Sequence, residues 1–222
     1  MIIAIDGPAG AGKSTIAKLI ARKLKFIYID TGAMYRAVTF KALENGIDVS
    51  DEKALVDIAK NSEITLERNA DGSIKVFLDK KDVSLDIRDP RITKFVSDVS
   101  KIAGVRHEMV ILQRKMGEKQ DSVLDGRDIG TVVFPKAEYK FYLDAKLTER
   151  AMRRHKELSE AGKNISFVEV EKDLANRDNI DSTRVCSPLK KAENAVCIDT
   201  TDLSIEQVVE KVYKVIHRVG DV

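Results

Sequence analysis

The chain has 222 residues, 43% of them hydrophobic, enough for one sizeable core with a subdomain or two inserted in it. Lys and Arg number 38 against 36 Asp and Glu, so a net charge of +2 supplies no whole-chain field for a nucleic acid or membrane surface, and any polyanion must be met locally. Two cysteines, Cys186 and Cys197, make no disulfide framework, and the apolar run Ile2-Ile3-Ala4-Ile5 is too short for a signal peptide or a membrane span; the expectation is a cytoplasmic protein with reduced thiols.

Strand-like and helix-like runs then alternate, the pattern of a parallel sheet covered by helices. Residues 2–5 read as a buried strand, 13–24 as a helix with Ile16, Ala17, Leu19, Ile20 and Leu24 near helical spacing, and 26–29 as a strand. Thr31 to Asn45 reads as a helix stopped by Gly46, and Ser50 as the cap of a helix over 51–60. From Glu63 to Ser84 the pattern becomes alternating, "EITLER" and "SIKVFL" around a turn at Asn69-Ala70-Asp71-Gly72, with a second turn over 79–82. This is an antiparallel meander inserted into an α/β chain. Pro90 opens a helix reaching about Ala103, and another follows over 104–119. "SVLDGRD" and "KFYLDA" read as buried strands, each ending in a carboxylate. A charged helix over 147–161 stops at Gly162 and a polar stretch follows; "AVCID" is the last strand, and Ser204 with Gln207 forms a capping box for a helix to Val219.

The segment DGPAGAGKST, residues 6–15, sits between the first strand and the first helix and fits G-x-x-x-x-G-K-[ST]. In such a loop, here Gly7, Pro8, Ala9, Gly10, Ala11, Gly12, Lys13, Ser14 and Thr15, glycines let main-chain amides close around phosphate oxygens, and the helix N-terminus adds its partial positive charge. Lys13 would reach the β and γ phosphates of ATP, and the Ser14 hydroxyl would take one position on Mg²⁺. A glycine-rich turn with an incidental lysine is the competing reading, which the strand-to-helix context disfavours. The motif does not name the acceptor, and no Asn-Lys-x-Asp segment for guanine is present.

Arginines supply the next signal. Arg150 and Arg154 lie four apart on the charged helix, a like-charge pair that costs roughly a few tenths of a kcal/mol unless an anion lies between them. A solvated face explains the same helix, with Glu149 paired to Arg153 and Arg153 to Glu157. Arg177 and Arg184, in the polar stretch 176–187, favour a lid whose arginines close over transferring phosphates.

Together, "GPAGAGKST", "IDTGAMYR", "LDGRDIGTVVFP" and "RDNIDSTRVCSPLKKA" resemble, in order and nearly end to end, the bacterial cytidylate (CMP) kinases, nucleoside monophosphate kinases of the P-loop class. The resemblance implies an α/β fold with a five-stranded parallel sheet flanked by helices. It further implies a core of about 1–35, 105–150 and 187–222, an inserted acceptor subdomain of about 36–104 carrying the antiparallel meander, and a helical lid of about 151–186. The implied reaction moves the γ-phosphoryl group of ATP, with Mg²⁺, to CMP or dCMP in a monomer whose partners are small molecules, with neither nucleic acid nor membrane among them. UMP, AMP or shikimate is the alternative acceptor.

Carried onto matching positions, the acceptor site uses Thr31, Tyr35, Arg36, Ser100, Arg106, Arg127, Asp128, Arg177, Asp181 and Arg184. The family's pattern gives the acceptor phosphate to Arg36, Arg127 and Arg184, the cytosine to Asp128 with Arg106 and Ser100, and the sugar to Asp181 and Arg177. Lys13, Arg127, Arg177 and Arg184 are the expected catalytic groups, and Arg150 and Arg154 the expected ATP contacts beyond the loop. Ile180 stands where many relatives carry an arginine, which leaves the number of lid contacts to ATP open.

Overall fold

The computed structural model describes residues 1–69 and 74–218. The first strand, β1 (Ile2–Asp6), turns into α1 (Lys13–Leu24); β2 (Ile27–Asp30) runs straight into α2 (Thr31–Glu44), and α3 (Glu52–Asn61) follows. Three short strands come next, β3 (Ile64–Arg68), β4 (Ile74–Leu78) and β5 (Lys81–Asp82), then α4 (Pro90–Ser100) and α5 (Ala103–Gly117). After β6 (Ser122–Gly126) the chain makes one π-helical turn over Ile129–Val133 and enters β7 (Tyr139–Asp144). A helical pair, α6 (Leu147–Glu160) and α7 (Phe167–Thr183), precedes β8 (Val196–Asp199) and α8 (Ile205–Arg218).

Five parallel strands lie in the order β2-β6-β1-β7-β8, and the meander is a separate antiparallel sheet, β3-β4-β5. The central strand β1 pairs on one side with β6, Ile2 opposite Ser122, and on the other with β7, Ile3 opposite Tyr139. Helices cover both of its faces, so Ile3, Ala4 and Ile5 are all shielded from water, each large side chain stabilising by about 1.5–3 kcal/mol. On one face Ile16 and Ile20 of α1 meet Val208 and Val212 of α8. On the other, Met34 and Val38 of α2 and Val105 and Met109 of α5 share a core with Val76 and Leu78 of the meander.

Local departures from expectation have local causes. The cap of α3 is Asp51, whose carboxylate accepts from Ala54 N at 3.0 Å; the amide and hydroxyl of Ser50 are taken up by Asp48. Ser100 ends α4, short of Ala103, because Ile102 is extended (φ −70°, ψ 121°) and starts α5. The second meander turn centres on Asp79 and Lys80, both left-handed at φ 49° and 68°. The turn expected at 69–72 lies, from Ala70 onward, outside the described residues, as does Val219. The polar stretch after Gly162 is largely a helix: Ser166 and Glu169 cap α7 reciprocally, and its Val170 and Leu174 pack on Ala9 and Ala151.

Candidate active site

The loop between β1 and α1 is shaped by its glycines. Gly7 has φ 145°, and a Cβ there would lie 1.9 Å from the Leu143 carbonyl oxygen, so only glycine lets the loop leave β1 against β7. Gly10 and Gly12 also take positive φ, 77° and 85°, turning the loop into the N-terminus of α1. Lys13 is buried, and its Nζ donates to the Pro8 carbonyl at 2.6 Å across the loop. Burial lowers its pKa well below the usual ammonium range, and Arg127 adds to the effect. Such a cation is placed to pair with an incoming anion.

Ser14 leads away from the loop to a buried carboxylate. Its hydroxyl donates to Asp125 at 2.8 Å, and the Tyr28 phenol donates to the other oxygen of the same carboxylate at 2.7 Å. Burial first, and then the Asp30 carboxylate, push the Asp125 carboxyl up to about 6. Strand register explains the cluster, since β2 and β6 run in parallel with Asp30 opposite Asp125. Thr31, at the start of α2, donates its hydroxyl to the Asp125 carbonyl at 2.7 Å.

A cleft of about 1280 Å³ extends from this loop past α2 and α4 to the α6–α7 pair. Facing the loop across it is a crowd of guanidinium groups. Burial lowers the Arg177 pKa to about 9, with Arg127 and Arg36 contributing, and burial lowers that of Arg36 to about 10. Among the described residues the buried Arg177 Nε has no hydrogen-bond partner, whereas Arg127 Nε donates to Asp181 at 2.8 Å and Arg36 to the Thr93 hydroxyl at 2.9 Å. Several half-buried cations with donors left over give this wall of the cleft the chemistry that suits a multivalent anion.

Deeper in the cleft the chemistry changes. Arg106 of α5 donates to Asp128 at 2.5 Å and to the Ser100 carbonyl at 3.0 Å, with its guanidinium 5.2 Å from the Tyr35 ring centre. Arg184 donates to Asp181 and the Ser187 carbonyl and lies 3.9 Å from Asp128. Asp128 precedes the π-helical turn, and its own carbonyl accepts from Val132 N and Val133 N. This pocket offers a carboxylate acceptor beside guanidinium donors, a pattern that can read the edge of a base.

All ten positions expected at the acceptor site line this cleft, as do Ala9 to Thr15 of the loop, while Gly7 and Pro8 lie behind it. Arg154 also lines the cleft, paired with Glu157 at 2.9 Å. Arg150, expected as an ATP contact, is placed otherwise. Its side chain lies under the loop, donating to the carbonyls of Ala145 and Ala9 and to Asp178, and Asp178 accepts in turn from Ala9 N. The like charges at 150 and 154 are therefore relieved by two separate carboxylates, Asp178 and Glu157. Glu149 does pair with Arg153, but the rest of the Arg153 fork reaches the Thr200 and Thr201 carbonyls at the far wall of the cleft instead of Glu157. Sequence reasoning gave Arg153 only a surface pairing and gave no part to Asp125 or to the loop-holding Asp178. For Asp125 a signal was available: a carboxylate near the end of a buried strand.

A phosphate-cradling loop after the central strand of a parallel sheet, with a bank of arginines across the cleft, defines a P-loop kinase. Known proteins narrow the class. The family model for cytidylate kinases matches residues 3–218. The chain is 53% identical to the cytidylate kinase of Clostridioides difficile over 212 residues, 96% of each chain. It is likewise 53% identical to that of Caldanaerobacter subterraneus subsp. tengcongensis, over 97% of this chain and 94% of the relative. Among solved structures, shikimate kinase from Bacteroides thetaiotaomicron is similar in fold, with a TM-score of 0.52 at 13% identity over 98% of both chains. The chain belongs to the cytidylate kinase family. Among the described residues no helix is long and apolar enough to cross a membrane.

Proposed function

We propose that the chain transfers the γ-phosphoryl group of MgATP to CMP or dCMP, yielding ADP and CDP or dCDP. The observation that carries the reading is the buried Arg106–Asp128 pair sharing one cleft with the phosphate loop. Cytosine presents an amine donor beside ring acceptors. A carboxylate at 128 accepts from that amine, and guanidinium and hydroxyl donors meet the acceptors. Uracil, with a carbonyl in the amine's place, would leave the carboxylate facing an oxygen.

Positioning and charge neutralisation supply the catalysis. A phosphate monoester with a second pKa of about 6 is already largely a dianion at neutral pH, so its oxygen attacks without a general base. Arg36, Arg127 and Arg184 hold it. Lys13 leaves the Pro8 carbonyl for the phosphates of ATP, and Arg177, with its unmatched Nε, joins the charge that spreads over the transferring group. Ser14 and Asp125 are hard oxygen donors at the rim of the loop, fitting Mg²⁺ held directly or through water; when bound, the ion neutralises phosphate charge. In this reading segment 36–104 carries the acceptor, and α6 with α7 is the lid that keeps water from the phosphoryl group. The same reading takes the chain as a cytoplasmic monomer acting on small nucleotides.

ADP release from MgATP, measured separately with CMP, dCMP, UMP, AMP and shikimate, is the test. Turnover confined to the two cytidine nucleotides supports the proposal. Equal turnover with UMP refutes the base reading, and ATP binding without turnover of any acceptor refutes the reaction.

A further inference from the structure

Asp6 does not line the cleft, and its side chain is buried between the sheet and the π-helical turn. One carboxylate oxygen accepts from Ile129 N at 2.8 Å and the other from Gly130 N at 2.7 Å. The approach is close: a Cβ on Gly130 would lie 3.3 Å from Asp6 Oδ2 and 3.2 Å from Lys140 Cδ, so a neighbour would have to give by a few tenths of an ångström. Lys140 itself is turned elsewhere, its ammonium donating to the Pro135 carbonyl and Asn194. The other end of the turn is held separately, by Arg114 of α5 donating to the carbonyls of Val132 and Val133.

Two facts about chain position give this contact its meaning. Asp128 immediately precedes the amides that Asp6 holds, and Gly7, the tightly confined first residue of the phosphate loop, immediately follows Asp6. A short link therefore runs from the phosphate cradle through one carboxylate to the backbone of Asp128. We infer that Asp6 is a positioning residue for base recognition, fixing the turn that carries Asp128 at a set distance from the phosphate loop. The inference rests on the reading of Asp128 as the group that accepts from the cytosine amine. Its consequence is that Asp6 governs acceptor choice without touching the acceptor.

Titration gives an added handle. Burial pushes the Asp6 carboxyl up to about 7 against the opposing pull of its two amides, with Asp128 raising it further and Lys13 lowering it. Protonation removes the negative charge and makes one of the two oxygens a hydroxyl, a poorer acceptor, so the grip on the two amides weakens. Lowering the pH from about 8 to about 6 should therefore reduce the CMP:UMP ratio of kcat/KM in the unmodified enzyme. Phosphate and Lys13 titrations act on both acceptors and largely divide out of that ratio.

The test compares CMP:UMP ratios for Asp6→Asn and Gly130→Ala. The first substitution sets an amide N–H₂ against a backbone N–H; the second crowds an intact Asp6 and Lys140 with a methyl group, which keeps the inference testable should Asp6→Asn fail to fold. Each should lower the ratio about tenfold or more, with a smaller change in the KM for ATP. The pH dependence should flatten in Asp6→Asn. Unchanged ratios in the folded variants, with only Tm lowered, would make Asp6 a buttress of the fold and overturn the inference; so would a pH dependence that persists in Asp6→Asn. Asp128→Asn separates the two levels of the argument. If it too leaves the ratio unchanged the base reading fails, and if it alone lowers the ratio only the inference about Asp6 fails.

Discussion

Arg106 and Asp128 form an ion pair at 2.5 Å with both side chains almost wholly out of water, and Arg184 stands 3.9 Å from the same carboxylate. A buried charge pair is costly to break from one side, because the partner left behind is neither solvated nor paired. Asp128→Ala should therefore lower stability by about 3–5 kcal/mol as well as altering acceptor choice. The cleaner variant is Asp128→Asn, which keeps shape and offers uracil a donor. Its CMP:UMP ratio of kcat/KM should fall by about 10²-fold or more, measured by ADP release at saturating MgATP.

Lys13 should prove dispensable for folding and essential for turnover. Its ammonium is buried with a depressed pKa and rests on a carbonyl of its own loop, so removing it relieves a desolvated charge. Lys13→Met should retain or raise the Tm of the free enzyme while kcat falls about 10²–10³-fold, the scale for loss of one preorganised transition-state donor. A mutant with near-normal kcat would show that the phosphates sit elsewhere.

In the free chain Arg177 is held at a cost: burial and the neighbouring Arg127 and Arg36 lower its pKa, and among the described residues its Nε has no hydrogen-bond partner. Arg177→Ala should leave the free enzyme as stable as before or more so, yet narrow the rise in Tm produced by CMP and ATP analogues together. For the unmodified chain, ligand at 100 times its Kd adds about 2.7 kcal/mol, roughly 5–11 °C for a domain of this size. Scanning calorimetry with and without ligand gives both quantities.

Arg150 and Arg154 should separate cleanly. Arg150 ties Ala9, Ala145 and Asp178 together beneath the loop, so Arg150→Ala should cost stability and raise the KM for ATP through a loosened loop. Arg154 is half-exposed and its pair with Glu157 is a surface one, so Arg154→Ala should move stability by no more than about 0.5 kcal/mol. Any kinetic effect at 154 then reports direct contact with substrate. Equal losses of Tm in both variants would contradict the placement of Arg150.

What was legible in the sequence was whatever depends on neighbours along the chain. The bounds of α1, Lys13 to Leu24, follow from the loop motif and helical spacing, and the Ser204–Gln207 cap appears as expected, with Gln207 accepting from Ser204 N at 2.9 Å. By the same rule α7 was legible and overlooked: Ser166 and Glu169 form the identical signature, but the charged run behind them masks sparse apolar positions at 170 and 174. The duties of Arg150, Asp125 and Asp6 were of another kind. Each depends on a partner far away in the chain, and only strand register and helix packing bring Asp178, Ser14 and Gly130 to them.

The central place of β1 in the sheet has a consequence for biogenesis. Its sheet partners lie far along the chain, for Ile3 pairs with Val123 on one edge and Tyr139 on the other. Until those strands pair with it, both edges of this isoleucine-rich strand stay open, a template for adhesion between unfolded chains. Non-local closure of this kind is slow, and it makes the pairing of β1 with β6 and β7 the step that commits the molecule to its native topology.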